Sequence, residues 1–137
     1  MISFDSQNSF ELPHTDQWAA WLSAVAAEEG YTVGDLSYVF CDDEFLLAIN
    51  QEFLDHDTYT DIITFADNVG RTINGEIYLS TQRVMENSRV FGVDFDHELS
   101  RVMVHGVLHL CGYRDKTDEE IVAMRAREDF WIEKLNC

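Results

Sequence analysis

The sequence predicts an α+β fold: a mixed sheet of three to four strands packed with about five helices, one of them central. The first observation is that segments of alternating polarity, typical of strands, are interspersed with segments of helical periodicity. The second is a pair of β-branched segments joined by a short turn, which indicates an antiparallel hairpin. The third is a helical segment that is apolar around most of its circumference, as expected for a covered helix. A length of 137 residues favours a single domain.

The first half of the chain carries two strand patterns and two helix patterns. Thr15 is suited to cap the first helix, because its hydroxyl can accept a hydrogen bond from a free backbone N–H. Gly30 is suited to stop that helix, because glycine tolerates positive φ. The predicted elements are a short edge strand at 1–4, a helix at 15–29, a strand at 35–41 and a helix at 42–53.

The second half begins with the hairpin and ends with three helices. Ser80 is the predicted cap of the first of these helices and Gly92 its stop. Thr117 and Glu120 match a capping box, in which the two side chains bond each other's backbone N–H groups. The predicted elements are strands at 61–65 and 73–79, a helix at 81–91, a long helix that begins at Asp94 or Asp96, and a last helix of about four turns from residue 117.

The composition excludes several classes of function. Acidic residues outnumber basic ones by 26 to 9, and the net charge of −17 repels nucleic acid at long range. Composition therefore predicts no DNA partner and gives no support for an RNA partner. No apolar run approaches the roughly 20 residues of a membrane span. The three cysteines are odd in number and widely spaced, which indicates free thiols and a cytoplasmic location.

Two histidines four residues apart are the strongest functional signal. His105 and His109 share one face of the long helix, so both imidazoles can reach one metal ion. Gly112 can end the helix by adopting positive φ, which lets Asp115 return as a third ligand. This is the spacing of metzincin zinc sites, with a carboxylate in the last place. The sequence thus predicts a single metzincin-like domain over residues 1–137, with a central metal-binding helix.

A simpler explanation is a pair of hydrogen-bonded core histidines followed by an ordinary helix end. It leaves unexplained why polar groups occupy positions where valine or leucine packs better. Gly106 stands where peptidases of the His-Glu-x-x-His type carry their general base, so peptide hydrolysis by that route is disfavoured. Glycine inside a helix costs about 1 kcal/mol relative to alanine. Gly106 therefore predicts close approach by a strand or a substrate.

The residues around the histidines resemble a known family. Residues 105–113, His-Gly-Val-Leu-His-Leu-Cys-Gly-Tyr, resemble the signature of the YbeY family of bacterial endoribonucleases and rRNA maturation factors. Residues 60–65 are similar to the family's Thr-Asp-Val-Leu-Ser-Phe segment, and residues 75–80 to its Gly-Asp-Ile strand. The run at 97–104, just before the signature, is similar too. The similar segments follow one another in the family's order from about residue 37 to residue 116.

The resemblance implies a metal hydrolase that acts on single-stranded RNA. It implies roles in 16S rRNA 3′-end maturation and ribosome quality control, with single-stranded rRNA and the ribosome or pre-ribosomal small subunit as partners. Family members bind their metal through three histidines. His105 and His109 carry over, and Asp115 stands in place of the third. Zn²⁺ is the expected ion, with Fe²⁺ or Ni²⁺ as alternatives, because two histidines and one carboxylate also suit Fe²⁺.

A second departure concerns the cation that stabilises the phosphodiester transition state. The resemblance places an arginine where this chain has Leu54. Catalytic residues stay unassigned on this basis; Arg114, next to the predicted site, and Glu76, as a proton acceptor, are the candidates. The other candidate cations are Arg71, Arg89 and Arg101, and the tyrosines that could stack RNA bases are Tyr59, Tyr78 and Tyr113.

Two other classes of function stay open. One is a metal hydrolase of another substrate class, such as a peptidase with an unrecognised base. The other is a non-catalytic ribosome assembly factor with a structural metal, which Leu54 and the net charge of −17 favour. A metal with no open coordination position favours this second class, because structural zinc sites are closed.

Overall fold

The computed structural model describes residues 1–54 and 60–135, with only the backbone of Leu54. Within them the elements are β1 (Ile2–Ser6), α1 (Thr15–Glu28), β2 (Thr32–Cys41), α2 (Asp43–Leu54), β3 (Ile62–Ala66), β4 (Thr72–Ser80), α3 (Thr81–Phe91), α4 (Phe95–Leu110) and α5 (Asp118–Leu135). The predicted α+β class is confirmed, with four strands and five helices in the described residues. The tyrosine predicted at position 59 to stack bases, and Cys137, lie outside the described residues.

The sheet is mixed and has the strand order β1-β2-β4-β3. β1 runs parallel to β2 and β2 runs parallel to β4, whereas β3 pairs antiparallel with β4. The predicted edge position of β1 and the predicted β3–β4 hairpin are both confirmed. Side chains alternate between the two faces of a strand, so the register of β4 decides which of its residues meet which helix.

The two faces of the sheet bury separate apolar clusters. On one face, α2 packs over a small cluster formed by Cys41, Leu46 and Ile63. The main core lies on the other face, where α1, α3 and α4 contribute side chains and α5 packs on α4. Helix α4 is buried around most of its circumference. This confirms the central, covered helix that its broad apolar surface predicted.

The helix ends show which local signals hold. Ser80 accepts a hydrogen bond from the backbone N–H of Arg83, and Gly92 ends α3 with a φ of 67°. The capping box also forms, since Thr117 and Glu120 bond each other's backbone N–H groups at 3.0 and 3.1 Å. The prediction that Thr15 caps α1 is wrong.

Thr15 is already a helical residue, and His14 takes the N-cap position with a φ of 57° and no side-chain bond. The carbonyl oxygen of His14 accepts the first helical hydrogen bonds, from Gln17 and Trp18. The helix α5 is also longer than the predicted four turns, with 18 residues. No helix in the described part of the chain combines the length and apolar character that a membrane span needs.

Candidate active site

A cavity of about 790 Å³ opens beside α4. Its walls are the start of β3, one face of α4, the loop after α4 and the first half of α5. His105, His109 and Asp115 all line this cavity. The structure therefore brings the three predicted metal ligands to one concave surface, although they come from a helix and from the loop that follows it.

Two glycines determine how α4 presents its histidines. A β-carbon on Gly106 would lie 2.9 Å from Ile77 and 3.2 Å from Ile62, so α4 lies close against β3 and β4 at this point. The predicted close approach is confirmed, and the neighbour is a pair of strand side chains. Gly112 has a φ of 102°, and its N–H bonds the carbonyl of His109 at 3.1 Å. That turn sends the chain back toward the cavity, as predicted.

The contacts of His105 distinguish its two ring nitrogens. Nε2 lies 3.4 Å from the Oδ2 of Asp115, and Nδ1 lies 2.6 Å from the Oε2 of Glu128. Two ligand atoms on one tetrahedral Zn²⁺ are separated by about 3.3 Å. The separation of Nε2 and Oδ2 therefore fits two atoms that bind the same ion. Glu128 bonds the other nitrogen, Nδ1, on the opposite side of the ring.

His109 is placed differently from His105. It lies one turn further along α4, its side chain is exposed, and its imidazole has no hydrogen bond or ion pair with any described residue. Within residues 1–54 and 60–135, no three His, Cys, Asp or Glu side chains already converge at metal-binding distances. The structure thus brings His105 and Asp115 together, and it places His109 on the same cavity wall without a direct contact.

Glu128 is a site residue that the sequence reasoning missed. It is 4% exposed, and its second oxygen accepts a hydrogen bond of 3.0 Å from Arg101 Nη1. Arg101 also bonds Asp129 at 2.5 Å, so this guanidinium is held by two carboxylates. A signal for Glu128 was present: it lies between Met124 and Trp131 at helical spacing, in the buried stripe of α5. A charged residue in such a stripe indicates a specific partner.

Several titratable groups around the cavity are perturbed. Burial alone lowers the pKa of His105, but the hydrogen bond and charge of Glu128, with the charges of Asp115 and Asp61, outweigh it and raise this pKa. Burial raises the pKa of Asp61, which lines the cavity, and the charge of His105 opposes part of that shift. Burial also raises the pKa of Glu98, in the first turn of α4. Such perturbations are typical of functional sites.

The two candidate catalytic residues from the sequence do not line the cavity. Glu76 lies opposite Phe65 on β4 and accepts a 3.0 Å hydrogen bond from Tyr78. It therefore shares the α2 face of the sheet, whereas the adjacent Ile77 faces α4. Arg114 is exposed in the loop after α4, where its neighbour Asp115 reaches the cavity instead.

The other polar candidates have structural partners. Arg71 bonds the carbonyl of Gly30 and stacks on Tyr31, and Arg89 pairs with Glu86. The Tyr113 hydroxyl donates a hydrogen bond of 2.9 Å to Glu29, at the end of α1. Of the four arginines considered as the catalytic cation, Arg101 is the one that lines the cavity. The side chain at the predicted arginine position, Leu54, lies outside what the structure describes.

The mixed four-stranded sheet and the histidine-bearing central helix define a class of small α+β proteins. The solution structure of TM1509 from Thermotoga maritima shares this fold: it is 27% identical, with a TM-score of 0.68 over 98% of this chain and 89% of that one. The chain is 48% identical to the endoribonuclease YbeY of Christiangramia forsetii over 93% of this chain and 90% of that relative. The same protein of Flavobacterium psychrophilum is 48% identical, with coverages of 94% and 92%.

A sequence profile of the Endoribonuclease YbeY family matches residues 2–136. The chain belongs to this family. The resemblance seen in the signature around the two histidines is thereby confirmed over nearly the whole chain.

Proposed function

We propose that the protein is a metal-dependent endoribonuclease that cleaves single-stranded RNA in the cavity beside α4. Nuclease activity follows from membership of the family and from relatives named endoribonuclease. The observation that supports metal binding is the environment of His105. One ring nitrogen is bound by a buried carboxylate, and the other is left beside Asp115 at 3.4 Å.

The donor set fits a divalent ion, with His105, His109 and Asp115 as the residues that would hold it. Two imidazoles and one carboxylate suit Zn²⁺, and they also suit Fe²⁺ or Ni²⁺. Glu128 supports this role, because a carboxylate on the outer nitrogen of a ligand histidine fixes its tautomer and orientation. When bound, such an ion would supply a Lewis acid and a hydroxide nucleophile near neutral pH.

The remaining chemistry falls to side chains of the cavity. His105 stays oriented through the reaction, because Glu128 is buried and is itself fixed by Arg101. Asp61 replaces Glu76 as the candidate for proton exchange. Asp61 lines the cavity, and burial raises its pKa toward neutral pH, above that of an exposed aspartate.

The substrate class we propose is ribosomal: single-stranded rRNA at the 3′ end of 16S rRNA, within maturation and quality control of the small subunit in the cytoplasm. A chain with a net charge of −17 repels RNA at long range. Affinity must come from local contacts in the cavity or from protein contacts on the pre-ribosomal particle.

Specific observations bear on each alternative. For a peptidase with an unrecognised base, position 106 is excluded as the source of that base, because Gly106 has no titratable side chain and lies against Ile77. A non-catalytic assembly factor is favoured by Leu54 at the family's arginine position and by the net charge of −17. That role predicts a protein that binds metal but leaves RNA intact.

The test compares the wild type with His109→Ala and with His97→Ala as a matched control. His97 lies on the same helix and does not line the cavity. Metal content is measured by mass spectrometry, and cleavage is assayed on single-stranded rRNA fragments. We expect one metal per chain and cleavage in the wild type and in His97→Ala, and loss of both in His109→Ala. Equal metal in all three proteins contradicts the site, and metal without cleavage in the wild type supports the assembly-factor role.

A further inference from the structure

We propose that Lys116 and Arg125 bind the phosphates of the RNA strand at the mouth of the cavity. This inference rests on the proposed nuclease function and adds to it the residues that hold the substrate. A chain with a net charge of −17 can bind a polyanion only where cations are concentrated and free to pair. The argument therefore begins with the positions of the cations.

All nine lysines and arginines lie within residues that the structure describes. Three of them line the cavity: Arg101, Lys116 and Arg125. Arg101 is not available to substrate, because its side chain is 15% exposed and pairs with both Glu128 and Asp129. Two cations remain to face an incoming phosphate.

Lys116 directly follows Asp115 in the loop after α4. Its backbone is anchored, since its N–H donates to the Oε1 of Glu120 at 3.3 Å as an extension of the α5 capping box. Its side chain is exposed and forms no ion pair with a described residue. The loop that delivers the carboxylate ligand thus also delivers an ammonium group to the same rim.

Arg125 stands across from this loop on α5. Its side chain is 52% exposed, and it forms only a long ion pair of 4.0 Å with Glu128, whose oxygens are already bonded by Arg101 and His105. The guanidinium lies 6.0 Å from the ring of Phe91, an aromatic side chain at the end of α3. A guanidinium supported by a ring is oriented in advance, and its planar fork matches two phosphate oxygens.

The charge balance of the cavity does not oppose an anionic strand, unlike that of the whole protein. The cavity carries three carboxylates, Asp61, Asp115 and Glu128, against its three cations. It is therefore formally neutral within a strongly acidic protein. Ile121 of α5 is exposed at the same rim and offers an apolar contact for a base.

The test measures cleavage of a labelled single-stranded rRNA fragment by the metal-loaded protein, with KM and kcat determined at several salt concentrations. The variant is Lys116→Ala with Arg125→Ala. The matched control is Arg89→Ala with Lys134→Ala, which changes the net charge equally at residues that do not line the cavity. A second variant, Lys116→Arg with Arg125→Lys, retains both charges. Metal content and melting temperature are measured for every protein.

We expect the double alanine variant to raise KM by about tenfold with kcat within about twofold, because phosphate contacts position the strand. The slope of log KM against log salt should fall by about 1.4, at about 0.7 per lost contact with a single strand. The control should match the wild type, and the charge-retaining variant should recover most of the loss. An unchanged KM, an equal rise in the control, or a loss confined to kcat overturns the inference while the nuclease function stands. Absence of RNA cleavage by the wild type refutes the proposed function and this inference with it.

Discussion

Two glutamates with little exposure connect α5 to other parts of the chain, and they differ in what their partners can reach. Glu29, at the end of α1, accepts hydrogen bonds from Tyr113, Arg127 and Trp131 at 2.9, 2.6 and 3.1 Å. Glu128, on α5, contacts Arg101 at 3.0 Å and His105 at 2.6 Å. Each carboxylate thereby connects α5 to a distant part of the chain.

The difference is whether a partner of the glutamate has another donor atom that borders the cavity. Every donor on Glu29 is a phenol, guanidinium or indole group that does not line the cavity, so its hydrogen bonds serve the fold. His105 has a second ring nitrogen, and this nitrogen borders the cavity beside Asp115. The number of hydrogen bonds therefore does not distinguish a functional carboxylate from a structural one. The decisive feature is whether a partner has a donor atom left for a ligand.

The largest expected effect is on metal binding at Glu128. Glu128→Gln should weaken Zn²⁺ binding by about 10- to 100-fold, as expected when the outer partner of a ligand histidine is lost. Glu29→Gln should leave Zn²⁺ affinity within about threefold, because its partners do not bind the ion. Competition with a chromophoric chelator measures both constants. Equal losses in the two variants would remove the proposed distinction.

The second effect concerns the free energy of unfolding. Glu29→Gln should lower it by about 2 kcal/mol, because three donors, one of them charged, lose a carboxylate acceptor that is largely buried. Urea denaturation of the metal-free proteins measures the change. A loss of less than about 0.5 kcal/mol would show that Glu29 is not the structural anchor we infer.

The contribution of Glu29 also depends on pH. Burial alone raises the pKa of Glu29, but the hydrogen bonds from Arg127, Trp131 and Tyr113 outweigh it and lower this pKa below 4.5. The carboxylate therefore stabilises the fold fully above about pH 4.5, and this stabilisation is lost as the pH falls through the lowered pKa. The gap between the unfolding free energies of the wild type and Glu29→Gln should therefore narrow as the pH falls below 4.5. A constant gap between them contradicts the sign of the shift.

A smaller effect is expected on the sheet side of α4. Gly106→Ala should cost about 1 kcal/mol, because crowding against Ile77 exceeds the gain in helix propensity. The same change in an Ile77→Val background should cost less, since the crowding methyl group is absent. Zn²⁺ affinity should also fall with Gly106→Ala, because a shift of α4 at this point moves the adjacent His105. Glu29→Gln, by contrast, should leave this affinity nearly unchanged. Equal cost in both backgrounds contradicts the packing explanation.

The smallest effect is expected at Asp129, the second partner of Arg101. Asp129 is 59% exposed and does not contact His105. Asp129→Asn should change the unfolding free energy by less than about 0.5 kcal/mol, as for most exposed ion pairs. Zn²⁺ affinity should stay at the wild-type value. A loss of affinity comparable with that of Glu128→Gln would move the orienting role from Glu128 to the wider ion-pair network.

Local patterns predicted much of the fold. Ser80, Gly92 and the Thr117–Glu120 box were predictable because each cap involves residues within four positions of one another. The histidine spacing and the turn at Gly112 were predictable for the same reason. Two predictions of this kind deviated. At the N-cap of α1 a backbone carbonyl accepts the hydrogen bonds expected of a threonine hydroxyl, and α5 is longer than predicted.

Long-range partners were not predictable in this way. His105 and Glu128 are separated by 23 residues, and Glu29 and Arg127 by 98, so no periodicity relates them. Glu76 shows a related limit. Strand alternation placed it on the face opposite Ile77, but it did not reveal which face α4 covers. The register of β3 and β4 in the folded sheet decides that question.

Anomalous diffraction at the zinc edge, from crystals of the protein grown with Zn²⁺, tests the central claim most directly. We expect one anomalous peak in the cavity, about 2 Å from His105 Nε2, from His109 and from Asp115. His105 Nδ1 should remain on Glu128. A peak elsewhere, no peak, or a zinc ion bound through Nδ1 of His105 would contradict the assignment of this cavity as a metal centre oriented by Glu128.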